Sequence, residues 1–166
     1  MSIHTVNWET TLPRLIFLAS ALALVTAYVA EFAFGLKPCN LCLWQRVPYF
    51  VSGALGLAAL GMSPGNLRAG AMILAGVSFL AGAGVALHHV GVEQHWWGSV
   101  ASCGGELPLS MSAADLQAAL SAPPDPACDA PTWVMLGVSA ATWNLMLSLG
   151  LAALTAIGLR NIMKAS

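Results

Sequence analysis

Two cysteines at a spacing of three, Cys39 and Cys42, stand at the head of an apolar segment, and Arg46 follows the second by four residues. Thiols exchange disulfides when a thiolate attacks a sulfur, so the rate follows thiolate fraction and access. Cys42 is expected at or near a helix N-terminus. There the helix dipole and the Arg46 cation at i+4 would stabilise its thiolate. Cys39 is expected outside that helix, free to swing away. One stabilised thiolate, one mobile partner and a cation at a membrane surface suggest electron traffic between thiols and something lipid-soluble.

A second pair, Cys103 and Cys128, lies far downstream. Cys103 sits between Ser99-Val100-Ala101-Ser102 and Gly104-Gly105, small neighbours that leave its sulfur open to a large partner. A bond from Cys103 to Cys128 would close a loop of about 25 residues, worth ~3–4 kcal/mol in the chain-entropy model. That value suits a bracing disulfide as well as a redox one, and most disulfides outside the cytosol are structural. The four cysteines could also form an all-thiolate zinc site. The second pair is not a Cys-x-x-Cys, and its Pro-rich approach fits a closed metal site poorly, so no metal is expected. His88 and His89 near the end of an apolar segment are either interfacial or in contact with a ligand between helices. A bis-histidine haem needs a second helix to supply a histidine, and none does.

These residues are carried by a membrane chain. Of 166 residues 58% are hydrophobic and 8% charged, against about a quarter charged in soluble domains. The mean hydropathy is +0.76. The net charge of -1 gives no attraction to nucleic acid. Four segments are long enough to span, at roughly 20 apolar residues each. They are 13–34, 43–62, 67–92 and 133–159, and the second is short. The expected fold is an all-α, four-helix transmembrane bundle forming one integral domain over 1–166, with outer loops 35–42 and 93–132. The apolar run of the first segment exceeds that of a signal peptide, so it is read as a span that is kept.

Arg14, Arg68, Arg160 and Lys164 fall on one side, and Lys37 and Arg46 on the other. Four against two puts both termini and the Pro64 turn in the cytoplasm and both cysteine loops outside. In a bacterium that outer face is the periplasm, where disulfides persist. Small residues recur every fourth position at Ala19, Ala23 and Ala27, at Ser78, Gly82 and Ala86, and at Ala140, Asn144, Ser148, Ala152 and Ala156. Such stripes let helices approach closely, and Asn144 is expected to bond a neighbouring helix. The first stripe continues to Glu31, at a depth similar to Arg46. Glu31 either pairs with Arg46 or reaches interfacial water. In the long outer loop, His95-Trp96-Trp97 reads as an interfacial anchor. Ser112-Ala113-Ala114-Asp115 resembles a capping box opening a short helix, Ala113 to Leu120. Pro123-Pro124-Asp125-Pro126 then delivers Cys128 on an extended, mobile stretch.

The chain resembles the disulfide bond formation protein B (DsbB) family of bacterial inner-membrane thiol oxidoreductases. The resemblance rests on Leu36-Lys37-Pro38-Cys39-Asn40-Leu41-Cys42 with Gln45-Arg46, on His89-Val90-Gly91-Val92-Glu93 leading to Trp96-Trp97 and Cys103, and on Cys128-Asp129 with Trp133 and Leu136-Gly137. It implies a four-helix bundle with two periplasmic loops, and a soluble DsbA-like thioredoxin-fold oxidase as partner. Electrons would enter at Cys103–Cys128, pass to Cys39–Cys42 and leave to a membrane quinone, ubiquinone ahead of menaquinone. Cys103 would form the mixed disulfide with the partner, and Cys128 would be released to attack Cys39. Cys42 would face the quinone, assisted by Arg46, with His89 nearby. Two other functions compete: an oxidase for one dedicated client, and a scaffold whose disulfides only brace the loops. A vitamin-K-epoxide-reductase-like enzyme uses similar chemistry, but the runs above favour the first family.

Overall fold

The computed structural model describes residues 7–98, 112, 117, 128–131 and 133–165. Helix α1 runs Trp8–Phe32, α2 Asn40–Trp44, α3 Val47–Gly61 and α4 Asn66–Glu93. A two-stranded hairpin follows, β1 Val134–Met135 and β2 Val138–Ser139, and then α5, Ala140–Ala165. The helix α1 packs on α3, α3 on α4, and α4 on α5, and α5 closes back onto α1. The four long helices therefore form one bundle. Three of them, α1, α4 and α5, are long and apolar enough to cross a membrane. The 15-residue α3 is shorter, about 22 Å at 1.5 Å per residue.

The core is built from Leu12, Ile16, Tyr49, Ala59, Met72, Ala75, Phe79, Leu151 and Ala152. Large apolar side chains such as Leu18, Leu22, Leu57 and Leu74 lie on the outside, as they do when the surrounding solvent is hydrocarbon. The small-residue stripes are contact lines. A Cβ on Gly82 would stand 3.0 Å from Pro48 and 3.5 Å from the Ser148 hydroxyl. Ala86, Ser148 and Ala152 are buried, and Ala19 and Ala23 pack on the core.

The second span differs from its expected form. It is broken into α2 and α3 by a turn at Gln45-Arg46. Pro48 lies in the first turn of α3, where its missing N–H costs nothing. The last span also begins later than expected, at Ala140 in place of Trp133. Leu136 and Gly137 have φ of 54° and 79°, the left-handed pair that a tight hairpin turn needs. Val134 pairs with Ser139 and Met135 with Val138, so these residues form a ribbon. The short helix over Ala113 to Leu120 lies outside the described residues, apart from the helical Gln117. Cys103 and the Pro123–Pro126 stretch also lie outside them.

Gly56 is where α1 and α3 meet backbone to side chain. A Cβ there would stand 2.9 Å from Ile16 Cγ2, 2.9 Å from the Phe17 nitrogen and 3.1 Å from the Pro13 carbonyl. Backbone cannot move aside as a flexible side chain can. Gly56→Ala is expected to cost roughly 1–3 kcal/mol through overpacking, read as an earlier midpoint of unfolding in detergent. An unchanged midpoint would show that the two helices tolerate more separation than their contact suggests.

Candidate functional site

The chain leaves α1 at Gly35, which takes the left-handed φ of 67°, and the Leu36 N–H closes on the Ala30 carbonyl at 3.1 Å. This turns the loop back over the bundle and delivers Cys39 as the N-cap of α2. Cys39 Sγ accepts the Cys42 backbone N–H at 3.3 Å and lies 2.8 Å from Cys42 Sγ. Both cysteines are free thiols, outside the spanning helices. Cys39 is only 2% exposed, whereas Cys42 is half-buried.

The sulfur charge therefore falls on Cys39, not on Cys42 as the spacing implied. The Cys42 thiol beside it holds the Cys39 sulfur down at about 4 against an ordinary 9.0; burial opposes this, while His89 and the Cys42 backbone N–H add to it. The same contact with Cys39, followed by burial, pushes the Cys42 thiol up. The N-cap residue, not the residue three later, receives the free N–H groups of a helix start. The expectation that Cys39 swings free fails for the same reason: it is buried and capped.

Between Cys42 and Arg46 the chain passes through a turn whose two residues, Gln45 and Arg46, keep right-handed helical φ and ψ. Arg46 caps α3, donates through Nη1 to Glu31 Oε2 at 2.6 Å, and lies 4.8 Å over the Tyr28 ring. Of the two readings of Glu31, the ion pair with Arg46 is the one observed.

His89 is the histidine brought to the sulfurs. Its Nε2 lies 3.6 Å from Cys39 Sγ and 3.8 Å from Glu93 Oε1, and its Nδ1 is 2.7 Å from Gln45 Nε2. His88 points elsewhere. Its ring stacks on Trp97 at 5.8 Å, and the Trp97 indole donates to the His88 carbonyl at 3.0 Å. Cys39 Sγ, Cys42 Sγ and His89 Nε2 lie within 4.8 Å of one another. No fourth group joins them among the described residues, where a closed zinc site takes four.

Cys128 is disulfide-bonded and fully buried. It shares one cluster with Cys39, Leu41 and Val92, and Cys42 packs against that cluster. Both halves of the cysteine set thus meet through Cys128.

Four participants escaped the reading of the sequence as site residues. Gln45 and Glu93 flank His89, Ser139 donates to Glu93 Oε2 at 2.6 Å, and Tyr49 lies below in the bundle. Glu93 was findable, since it stands at i+4 from His89 on one helix. Gln45 and Ser139 were not, because their partners are 44 and 46 residues away.

An apolar helix bundle with a free Cys-x-x-Cys dithiol at one end, and a disulfide-bonded cysteine packed on it, is a membrane protein of thiol–disulfide chemistry. The sequence profile of the disulfide bond formation protein DsbB family matches residues 9–158. The chain belongs to that family, whose members are membrane proteins of disulfide bond formation. It is 34% identical to disulfide bond formation protein B of Acinetobacter baumannii over 137 residues, covering 79% of each chain. It is 34% identical to that of Methylococcus capsulatus over 145 residues, 82% of this chain and 85% of the relative. An uncharacterized protein of Rickettsia prowazekii is 30% identical over 132 residues, 78% of this chain and 76% of the relative.

The depressed Cys39 group has a definite sign in pH. Its charged form is present above about 4 and is lost as pH falls through that value. In the reduced protein, the ultraviolet thiolate absorbance missing from Cys39→Ser is expected to persist through neutral pH and to disappear near 4. A thiolate that forms only near 9.0 would overturn the assignment.

Proposed function

We propose that this protein reoxidises a soluble, DsbA-like thioredoxin-fold oxidase and passes the electrons through two cysteine pairs to a membrane quinone. The setting is the bacterial inner membrane, with both termini cytoplasmic and both cysteine loops in the periplasm. One observation carries the reading. A dithiol with one buried sulfur at a helix N-cap and one half-buried sulfur beside it stands at the end of an apolar bundle, with Cys128 against it.

Each exchange step conserves electrons. A partner thiolate attacks Cys103 of the Cys103–Cys128 disulfide, forming the mixed disulfide and releasing Cys128. Cys128 then attacks Cys39 of an oxidised Cys39–Cys42 pair, which forms a Cys39–Cys128 disulfide and releases Cys42 as a thiolate. The shared cluster of Cys39 and Cys128 supports this order. The partner's second thiolate resolves the mixed disulfide, so that the partner leaves oxidised and Cys103 leaves as a thiolate; Cys103 then attacks Cys128, re-forms the Cys103–Cys128 disulfide and releases Cys39, which leaves the inner pair reduced by two electrons.

The outlet is Cys42. It is the more accessible sulfur, and Leu43 and Trp44 beside it are exposed apolar groups, so a lipid-soluble acceptor meets it from the membrane. A quinone at this position supplies a sink for two electrons and two protons. Closure of the Cys39–Cys42 disulfide would release two electrons and the one proton that Cys42 holds, and the second proton that a quinone takes would come from water at the outer face. Arg46, four residues after Cys42, would supply fixed positive charge for the negative charge that develops on the acceptor. Its pairing with Glu31 and Tyr28 holds it in position. The free state of Cys39 and Cys42 disfavours a scaffold in which this pair only braces a loop.

Quinone reduction by the purified protein, with a reduced thioredoxin-like periplasmic donor, tests the reading. Turnover is expected in the wild type and its loss, by at least about a thousandfold, in Cys42→Ser, since the covalent route is removed. Cys128→Ala is expected to accumulate a mixed disulfide at Cys103. The identity of the trapped protein separates a general oxidase partner from a dedicated client. Absence of turnover in wild type with a competent donor and bound quinone would overturn the quinone step.

A further inference from the structure

A chain of polar side chains runs from the thiols into the bundle: Gln45, Asn144, Tyr49 and Ser148 stand in file behind His89. Gln45 Nε2 lies 2.7 Å from His89 Nδ1. Asn144 Nδ2 donates to Gln45 Oε1, the Tyr49 hydroxyl donates to Asn144 Oδ1, and the Ser148 hydroxyl lies 2.9 Å from the Tyr49 oxygen. The chain links the α2–α3 turn, α3, α4 and α5. Buried polar groups in an apolar bundle do need partners, but single pairs would meet that need. A file of four ending on one imidazole does more.

Amides and hydroxyls in series have a direction, and each group sets the next. His89 Nε2 faces two acceptors, the Cys39 sulfur at 3.6 Å and Glu93 Oε1 at 3.8 Å. With the thiolate and the carboxylate both on that side, the imidazole proton belongs on Nε2. Neutral imidazole then has an acceptor at Nδ1. Gln45 must turn its NH2 to it, which leaves Oε1 for Asn144. Asn144 must give its own NH2 to Gln45, which leaves Oδ1 for Tyr49. Tyr49 must donate there, which leaves its oxygen to accept from Ser148. Every donor in the file points toward the thiols. The opposite polarity would put the proton on Nδ1 and a lone pair against the thiolate.

We propose that Gln45, Asn144, Tyr49 and Ser148 are positioning residues that lock His89 in the Nε2–H tautomer, so that it donates to the Cys39 sulfur in the reduced protein. The inference rests on the thiol-redox reading of this site. The groups that face Cys39 are Cys42 from α2 and His89 from α4, with Glu93 behind Nε2 and Cys128 in the same cluster; Arg46 is held by Glu31. Among the described residues the hydrogen bonds to the Cys39 sulfur come from Cys42 and His89 and from none of the four, so their hydrogen-bonded route to it runs through the imidazole.

The test uses the full-length reduced protein in lipid nanodiscs. Ring-nitrogen NMR of histidine-labelled protein, assigned by His89→Gln, is expected to show the Nε2–H tautomer. Tyr49→Phe removes one hydroxyl, and Asn144→Leu removes a link two residues from His89. In each, His89 is expected to become a mixture of tautomers, and the thiolate midpoint of Cys39 to rise by about one unit. That is roughly a tenfold loss of thiolate below the midpoint, the scale of one hydrogen bond to a charged group. A wild-type Nδ1–H tautomer overturns the proposal. So does an unmoved tautomer and midpoint in Tyr49→Phe, which keeps the aromatic packing and decides the matter if Asn144→Leu does not fold. A merely structural network would shift stability and leave both readouts in place. No quinone or protein donor is used, so failure here and failure of the turnover assay report on separate claims.

Discussion

A sulfur anion at the edge of a bilayer has to be held by donors that the protein itself supplies, because hydrocarbon offers none. Cys39 meets this constraint through the first turn of α2. Its sulfur takes the Cys42 N–H and the Cys42 thiol, and His89 reaches it from α4. Much of the upper bundle follows from that arrangement. The loop after α1 has to fold back at Gly35. The second span has to start with a short helix whose N-cap is a cysteine. Residue 89 of α4 has to face inward, which turns His88 onto Trp97.

The charges are handled in two separate compartments. Arg46 is partnered by Glu31 and Tyr28 of α1. His89 and Glu93 form the other compartment, tied to the hairpin through Ser139. The two part at the α2–α3 turn: the arginine reaches Glu31 on α1 and the glutamine reaches His89 on α4. The same residue pair thus sends one side chain to the ion pair and its neighbour to the imidazole.

Stability and chemistry use the same contacts in the interior. Asn144 and Ser148 belong to the small-residue stripe that lets α5 approach α4, and both also bond Tyr49 of α3. The Asn144 prediction from sequence was correct in kind, a bond to a neighbouring helix, but the neighbour and the consequence were not visible. Glu31 stood open between water and Arg46 until α1 and the α2–α3 turn were set side by side. The boundaries of the second and fourth spans were misread where local turn chemistry, at Pro48 and at Leu136-Gly137, overrode apolar content.

The sequence by itself determined that this is a membrane chain of long apolar helices, where its cysteine pairs lie, and which family it resembles. Those properties reside in composition, in spacing and in short runs such as Pro38-Cys39-Asn40-Leu41-Cys42. Only the tertiary structure decided which sulfur carries the charge, which of two adjacent histidines serves it, and where Arg46 points. Each of these depends on rotation about a helix axis and on partners 15 to 99 residues away. A one-residue rotation turns a side chain by roughly 100°. Spacing alone cannot say which neighbour a helix face meets, because the packing of α1, α4 and α5 sets it.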